Sequence, residues 1–263
     1  ERWYSSWPGI VGICNDMANV QWERLMEFGD VIRARHSVRA FTDQPVSDDQ
    51  LQALLDVATT APSWSNTQPY QVAIARGEVL ESLRQELPPR FDKLAALQKA
   101  PMVKKALAWL RKDGLPDGDF RPVVDYPEDL QPRRVATGRG LYELLDIGRE
   151  DKQARHEQMR ANFRFFNAPV ALFVFIHEGL GVYSALDAGI FLQNMMLAAT
   201  DAGLGTCAQG ALGLWRSPLE RHFELPDNYK LLCGLSLGYE ADDRINQFRP
   251  DRQPLSELLI KEK

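Results

Sequence analysis

The chain has 263 residues, of which 44% are hydrophobic and 25% charged, as is typical of a soluble globular protein. Its net charge of −5 disfavours a general nucleic-acid surface, so an anionic ligand would need a local cluster of cations. Three scattered cysteines and a longest apolar run of only residues 168–176 favour a cytoplasmic protein without a disulfide framework, a zinc site or a membrane span.

In chain order, the first elements are a tail and two helices. Residues 1–18 show no period and are predicted to be a tail, whereas residues 19–33 have helical spacing. Ser47 and Gln50 form a capping-box pattern that predicts the start of the second helix. This helix should stop before Pro62, because proline has no backbone N–H for the next turn.

Hydrophobic periodicity predicts the remaining regular elements. Helices are expected over residues 78–87, 91–112, 141–147, 151–165 and 183–202, and strands over residues 70–74, 169–176 and 231–237. The core residues expected from the last helix are Leu186, Ile190, Met196 and Leu197. Gly203 is expected to end that helix. Many helices separate the strands, which is typical of a sheet covered on both faces.

We interpret residues 19–258 as a single domain, followed by a short tail over residues 259–263. The domain has an insertion over about residues 88–165, which contains a loop rich in Pro, Asp and Gly over residues 113–132. A loop of this length in a compact domain is usually a lid, a binding loop or an excursion that wraps another subunit.

The segment Arg35-His36-Ser37-Val38-Arg39 carries two fixed cations and a hydroxyl within five residues. A guanidinium is always charged and presents a planar fork of donors that suits phosphate oxygens. If the segment is extended, Arg35, Ser37 and Arg39 share one side and can converge on one phosphate. Taken alone, the segment is equally well explained as a solvated surface strand.

Three further segments suit the binding of a cofactor. They are the amide-rich turn 61–69, the glycine stretch 203–210 and the proline-stiffened stretch 246–255. Small residues let backbone N–H groups approach a flat ligand closely. Gly203 and Gly205 follow a predicted helix, whereas a dinucleotide-binding fingerprint lies between a strand and a helix, so that interpretation is excluded. The sequence also has no phosphate-loop motif. The alternative for stretch 246–255 is a solvated tail.

Together and in this order, the four segments resemble the FMN-dependent nitroreductase family. The matching stretches are residues 35–41, 61–63, 66–69, 193–194, 197–199, 203–207 and 252–257. The resemblance covers about residues 22–258. It implies an α+β fold with three α/β/α layers, a central mixed sheet flanked by helices, and an intertwined homodimer that buries FMN at the subunit interface.

The resemblance also implies which residues hold the phosphate end of FMN. Those assigned to the phosphate or the ribityl chain are Arg35, Ser37, Arg39 and Arg252. Pro250 stands where relatives can carry a lysine, so a second C-terminal phosphate cation is expected from Arg249. His36 lies between two arginines, which disfavours its protonation. A packing or backbone role is expected for His36, with phosphate contact as the alternative.

At the flavin ring, the resemblance assigns contacts to two segments. The turn would contribute Asn66 and Gln68 to the ring or ribityl chain, and Pro62, Ser63 and Ser65 to the flavin of the other subunit. Gln209-Gly210 would supply backbone donors near the reactive edge. Many relatives have Trp-Ile-Gly at residues 208–210, so more than one amide is a candidate for flavin N5. Trp64 is expected to stack on an aromatic substrate or to pack.

No side chain is assigned a catalytic or metal-binding role. Cys207 has no second cysteine nearby and is expected to be a buried hydrophobe, not a redox thiol. His177 ends an apolar strand and is expected at the core or its rim. Glu178 and Asp187 share no evident face, so paired-carboxylate chemistry has no support.

The sequence therefore predicts an FMN-dependent NAD(P)H oxidoreductase that reduces nitroaromatic compounds, quinones or similar small acceptors. Hydride would pass from NADH or NADPH to flavin N5 and then to the acceptor in the same pocket, which implies ping-pong kinetics. The alternatives are a flavin-dependent dehalogenase or desaturase on the same scaffold, and a module that binds or stores FMN without turnover.

Overall fold

The computed structural model of the chain describes residues 26–111, 114–123 and 125–262 and is built on a four-stranded sheet. The strands are β1 (Tyr70–Ala75), β2 (Val170–His177), β3 (Gly205–Gln209) and β4 (Tyr229–Gly238). They lie in the order β1-β2-β4-β3, and each neighbouring pair is antiparallel. Three of these strands were expected. β3 was not, because its small residues do not alternate between apolar and polar.

Helices cover both faces of this sheet. The α-helices are α1 (Phe28–Ala34), α2 (Asp48–Thr59), α3 (Gly77–Gln98), α4 (Met102–Arg111), α5 (Gln131–Leu144), α6 (Lys152–Arg160), α7 (Val182–Asp201), α8 (Ser217–Glu220) and α9 (Leu255–Leu258). The predicted tail and the start of the helix predicted from residue 19 lie outside the described residues. No helix of the described ranges is long and apolar enough to cross a membrane.

Strand β2 separates two hydrophobic cores. Successive side chains of a strand point to opposite faces. Phe173 and Phe175 therefore join the core under α3, whereas Leu172 and Val174 join the core under α2 and α7. The three layers predicted from the sequence follow from this burial on both faces.

The capping box before α2 is confirmed. The Ser47 side chain accepts from the Gln50 backbone N–H, and the Gln50 side chain accepts from the Ser47 backbone N–H. Such a box satisfies two backbone donors at a helix start that would otherwise lack partners. It fixes the start of α2, whose buried residues Leu51, Leu54 and Ala58 pack against the sheet.

Two helices extend beyond their predicted bounds. α3 joins the helix predicted over residues 78–87 to the first part of the one predicted over residues 91–112, because Phe91 and Leu94 pack on the same core as the preceding turns. The rest of the second predicted helix is α4. The predicted start of the insertion at residue 88 therefore lies within α3. α5 begins at Gln131 and not at residue 141, with a proline in its first turn, where the missing N–H costs nothing.

The core face of α7 agrees with the prediction only in part. Ile190 and Met196 pack against the core as predicted, but Leu186 is exposed. The fully buried stripe consists of Ala188, Phe191, Met195 and Ala199 at helical spacing. The prediction of Gly203 as the residue after the helix is confirmed, since its φ of 72° lies in the left-handed region that glycine adopts readily.

Segment 35–41 runs beside β3. Ser37 forms an isolated parallel bridge with Thr206, and the Val38 N–H donates to the Thr206 carbonyl at 2.9 Å. Phe41 forms an isolated antiparallel bridge with Glu240. The four strands form an antiparallel sheet where a mixed sheet was expected, and the parallel bridge of Ser37 is isolated and lies outside these strands.

Candidate functional site

The segment from Arg35 to Arg39 is extended, as its phosphate-binding interpretation requires. Val38 is buried against the sheet, so the flanking residues Ser37 and Arg39 point to the other side of the segment. Val38 can approach this closely because the facing residue is Gly205, whose missing side chain leaves room for it. The fold therefore presents Arg35, Ser37 and Arg39 from one side.

Arg35 lies beside the two C-terminal arginines. Burial lowers the pKa of the Arg35 guanidinium below its ordinary value, and the nearby charges of Arg252 and Arg249 lower it further. Like charges repel, so this arrangement is unfavourable unless an anion compensates it. The structure thus brings together arginines more than 200 residues apart in sequence, as the sequence predicted.

None of the four predicted phosphate arginines pairs with a carboxylate in the described part of the chain. The guanidinium hydrogen bonds of Arg39, Arg249 and Arg252 go to backbone carbonyls. Their neighbours behave differently, since Arg33 pairs with Asp30 and Arg244 pairs with Asp146. The uncompensated arginines are therefore a specific set and not a general property of these segments.

Arg39 is held from two directions. Its guanidinium carbon lies 5.9 Å from the centroid of the Phe248 ring, and its Nη1 donates to the Ser37 carbonyl at 3.2 Å. Its backbone N–H donates to the Asn246 side chain at 2.7 Å. Neither Phe248 nor Asn246 carries a sequence signal for this role, because nothing in the local pattern marks a contact across 207 residues.

His36 is engaged within the protein. Its Nδ1 lies 2.8 Å from the Ala34 carbonyl, and its Nε2 lies 3.1 Å from a Glu240 carboxylate oxygen. Both ring nitrogens therefore have partners in this structure. This supports the packing role over the phosphate contact.

The turn after α2 has an unusual backbone. Ser65, Asn66 and Gln68 all have positive φ, which non-glycine residues rarely adopt and which persists only where contacts enforce it. The Ser63 hydroxyl accepts from the Gln68 N–H at 2.9 Å, and the Gln68 side-chain amide donates to Asn66 Oδ1 at 3.0 Å. Pro62, Ser65, Asn66 and Gln68 are exposed, so the turn presents amide groups to solvent.

Trp64 is fastened to α7 through its backbone. Its N–H donates to the carboxylate of Asp187 at 3.0 Å, and Asp187 is only 3% exposed. Its indole ring lies 4.4 Å from the Tyr183 ring, and both side chains are about half exposed. Trp64 therefore does not belong to the core, and the two rings together form an aromatic surface. Tyr183 and Asp187 had no sequence signal for this role.

The Gln209 side chain is buried, and both its amide group and its oxygen are hydrogen-bonded within the protein. Its amide donates to the Asn162 carbonyl at 2.9 Å, and its oxygen accepts from the Ser236 hydroxyl. Gly210 is exposed, and an added Cβ would meet nothing within 4 Å. Any contact of this pair with a ligand would therefore come from the backbone, as the resemblance implied.

Cys207 is buried in the core and His177 lies at its rim, as expected. Burial raises the pKa of the Cys207 thiol to about 11, so it is protonated and unreactive at neutral pH. His177 Nδ1 accepts from the Gly179 N–H at 2.9 Å, and its Nε2 lies 2.8 Å from the Asn228 amide. Neither residue is therefore assigned a catalytic role.

The residues present fit FMN. An uncompensated group of arginines suits a phosphate dianion. At the end of β3, Ala208 and the following Gly210 are small and exposed, so a flat ring can approach the backbone closely there, whereas Thr206 is only 2% exposed. Segment 35–39 reaches β3 at Thr206, so the arginines and the open Gly210 backbone lie at different ends of this stretch.

Comparison with known proteins agrees with this geometry. The profile of the nitroreductase family matches residues 32–239. The chain belongs to the nitroreductase family. A 4-nitrobenzoate reductase of Pseudomonas putida is 32% identical to this nitroreductase over 232 residues, which cover 86% of this chain and 92% of that protein. A nitrobenzene nitroreductase of Ectopseudomonas oleovorans is 34% identical over 238 residues, covering 87% and 94%.

Solved structures show the same fold as this nitroreductase. The FMN-dependent nitroreductase NfnB from Mycobacterium smegmatis, in complex with NADPH, superposes with a TM-score of 0.75 at 28% identity. The match covers 89% of this chain and 97% of that one. The family resemblance and the α+β fold predicted from the sequence are confirmed.

Proposed function

We propose that this nitroreductase uses FMN to transfer electrons from NADH or NADPH to nitroaromatic compounds, quinones or similar small acceptors. The observation that carries the proposal is the group of uncompensated arginines, Arg35, Arg39, Arg249 and Arg252, on a fold shared with FMN-dependent nitroreductases. Relatives that reduce nitrobenzene and 4-nitrobenzoate support the acceptor class. The cysteine usage supports a reducing, cytoplasmic setting.

In this proposal the arginines and Ser37 hold the FMN phosphate, and the small side chains of β3 lie under the ring. Bound FMN supplies the hydride chemistry at N5, in ping-pong order with the nicotinamide and the acceptor. Asn66 and Gln68 bind the ring or ribityl chain, and the Gln209-Gly210 backbone supplies donors at the reactive edge. The protein contributes orientation and charge compensation, and no side chain is assigned as a general acid.

Trp64 and Tyr183 provide the contact with the acceptor. Both rings are electron-rich and accessible, and a nitroaromatic ring is electron-poor, so offset stacking between them is favourable. Pro62, Ser63 and Ser65 lie on the same turn and reach the flavin of a partner subunit.

The proposed assembly is a homodimer. Phe28 and Ile32 of α1 and Val182 and Leu186 of α7 are large, apolar and exposed, each pair at i, i+4 spacing. The two pairs form separate apolar patches, because Met26 before α1 bonds to Asp201 at the C-terminal end of α7, whereas Val182 and Leu186 lie in its first two turns. Each patch is available to a partner subunit. Leu186→Glu should produce a monomer by light scattering and release FMN. A dimer that withstands this change would contradict the proposed interface.

The test of the function is anaerobic mixing of the purified, FMN-loaded protein with NADPH or NADH and then with nitrobenzene or 4-nitrobenzoate. Rapid bleaching of the flavin by the nicotinamide, followed by reoxidation with the nitroaromatic, is the expected result. Absence of bleaching would favour a storage module or a desaturase, which takes electrons from its own substrate. Bleaching without reoxidation by any nitroaromatic or quinone would favour a dehalogenase.

A further inference from the structure

We infer that Asn246 is a positioning residue of the phosphate site, which holds the Arg39 segment and the C-terminal arginines in one arrangement. This inference rests on the proposed FMN function. Asn246 lies in a short 3-10 helix (Arg244–Gln247) and is 3% exposed. Its side chain is uncharged, and the residue is bonded to two of the charged residues, Arg39 and Arg249.

The Asn246 side chain makes four hydrogen bonds. Its Oδ1 accepts from the backbone N–H groups of Arg39 at 2.7 Å and Ala40 at 3.1 Å. Its Nδ2 donates to the carbonyls of Ala40 at 2.8 Å and Ala241 at 3.0 Å. A carboxamide has two donor hydrogens and one acceptor oxygen with two lone pairs, so its capacity is fully used.

The Asn246 backbone adds a second link. Its carbonyl accepts from Arg249 Nη1 at 2.7 Å. One residue therefore fixes the backbone of Arg39 through its side chain and the guanidinium of Arg249 through its main chain. Residues 248–254 form neither a helix nor a strand, so backbone pairing does not hold them in place.

The chemistry of this contact requires an amide. An aspartate at this position would turn two donors into acceptors that face the Ala40 and Ala241 carbonyls. It would also bring a negative charge beside the cations that bind the phosphate. Alanine would leave the two N–H groups and two carbonyls without these partners.

The test compares FMN with riboflavin, which has the same ring and ribityl chain but no phosphate. Dissociation constants for both flavins are measured by fluorescence titration of wild type, Asn246→Ala and Asn246→Asp. Each variant should bind FMN about tenfold to a hundredfold more weakly, as for loss of a hydrogen bond to a charged group. Riboflavin affinity should change by less than about threefold.

The matched control is Asp119→Asn. Asp119 also ties a loop to the sheet, accepting from the Leu231 N–H and from Arg216 near the start of β4. This variant should leave the ratio of the two dissociation constants unchanged. Melting curves of each apo variant confirm that the protein is folded at the assay temperature, and Asn246→Ser replaces Asn246→Ala if the latter does not fold.

Equal losses of FMN and riboflavin affinity, or no loss of FMN affinity, would overturn the positioning role of Asn246 and leave the phosphate site standing. A wild-type protein that binds riboflavin as tightly as FMN would contradict the phosphate site itself, and this inference with it.

Discussion

A Cβ atom added at Gly205 would lie 2.6 Å from the Cγ2 atom of Val38. Val38 is buried and β-branched, so it has little freedom to move away. The contact sets how closely the arginine-bearing segment can lie against β3. Packing at this one point therefore links the stability of the fold to the position of the proposed phosphate site.

Gly205→Ala should lower the free energy of unfolding by about 1–3 kcal/mol, because it overpacks a buried contact. Urea unfolding of the apo protein measures this change. Gly138→Ala is the control, since Gly138 lies inside α5 with nothing within 4 Å of an added Cβ. It should be neutral or stabilise by up to about 1 kcal/mol, because alanine favours helix. Equal effects at the two positions would contradict the packing argument.

Arg252→Gln should weaken FMN binding by about tenfold or more, since it removes one charge-assisted contact to the phosphate. Arg252 is exposed, and among the described residues its side chain bonds only to the Pro250 and Asp251 carbonyls, so stability should hardly change. Arg244→Gln is the control, because Arg244 is already paired with Asp146. Fluorescence titration with FMN should separate the two, and similar losses in both variants would indicate a diffuse charge effect.

Arg39→Glu should abolish FMN retention, because the change removes a cation and places a negative charge at the phosphate. The measurement is the ratio of flavin absorbance to protein absorbance after purification. A variant that purifies with a full complement of flavin would rule out the phosphate assignment of the whole segment.

Asp187→Ala should lower stability by about 1–3 kcal/mol, because the Trp64 N–H loses its buried acceptor. It should also raise KM for a nitroaromatic more than it lowers kcat, since Trp64 is displaced from the acceptor. Asp201→Ala is the control on the same helix, as Asp201 accepts from the Met26 N–H at 3.0 Å. Steady-state kinetics should show no change in KM for that variant.

The free energy of unfolding should fall as pH rises from about 9 to about 11. Burial raises the pKa of both Cys207 and Cys233 to about 11 from 9.0. The unfolded chain therefore releases these protons first, and the stability present below pH 9 is lost as pH approaches 11. Urea unfolding across this range measures the loss, and replacing both cysteines with alanine should remove the part of the loss that these two thiols cause.

Mass spectrometry should also find neither Cys207 nor Cys233 alkylated by iodoacetamide at pH 8.

The elements and residues that could be predicted are those whose causes are local. The capping box of Ser47 and Gln50 acts within four residues, and the apolar run of β2 is visible along one strand. The alternation of Arg35, Ser37 and Arg39 required only an extended segment. The capping box, the β2 strand and the extended segment could be predicted because neighbouring residues determine them.

The features that sequence could not supply depend on contacts between distant residues. β3 has no strand pattern of its own and is a strand because β4 pairs with it. Asn246 and Asp187 are ordinary polar residues until the fold places a backbone N–H against each of them. Helices were predicted on both sides of Pro88, but their continuity through it in α3 depends on the packing of Phe91 against the core, which no local rule anticipates.

The bridge between Ser37 and Thr206 has a consequence for solubility. β3 is an edge strand of the sheet, and an edge strand with free backbone groups can recruit strands from other molecules. Segment 35–39 occupies that edge where the bridge forms. The residues proposed to bind the cofactor therefore also cover part of the sheet edge and protect it from edge-to-edge aggregation. Loosening this segment would increase aggregation as well as weaken cofactor binding.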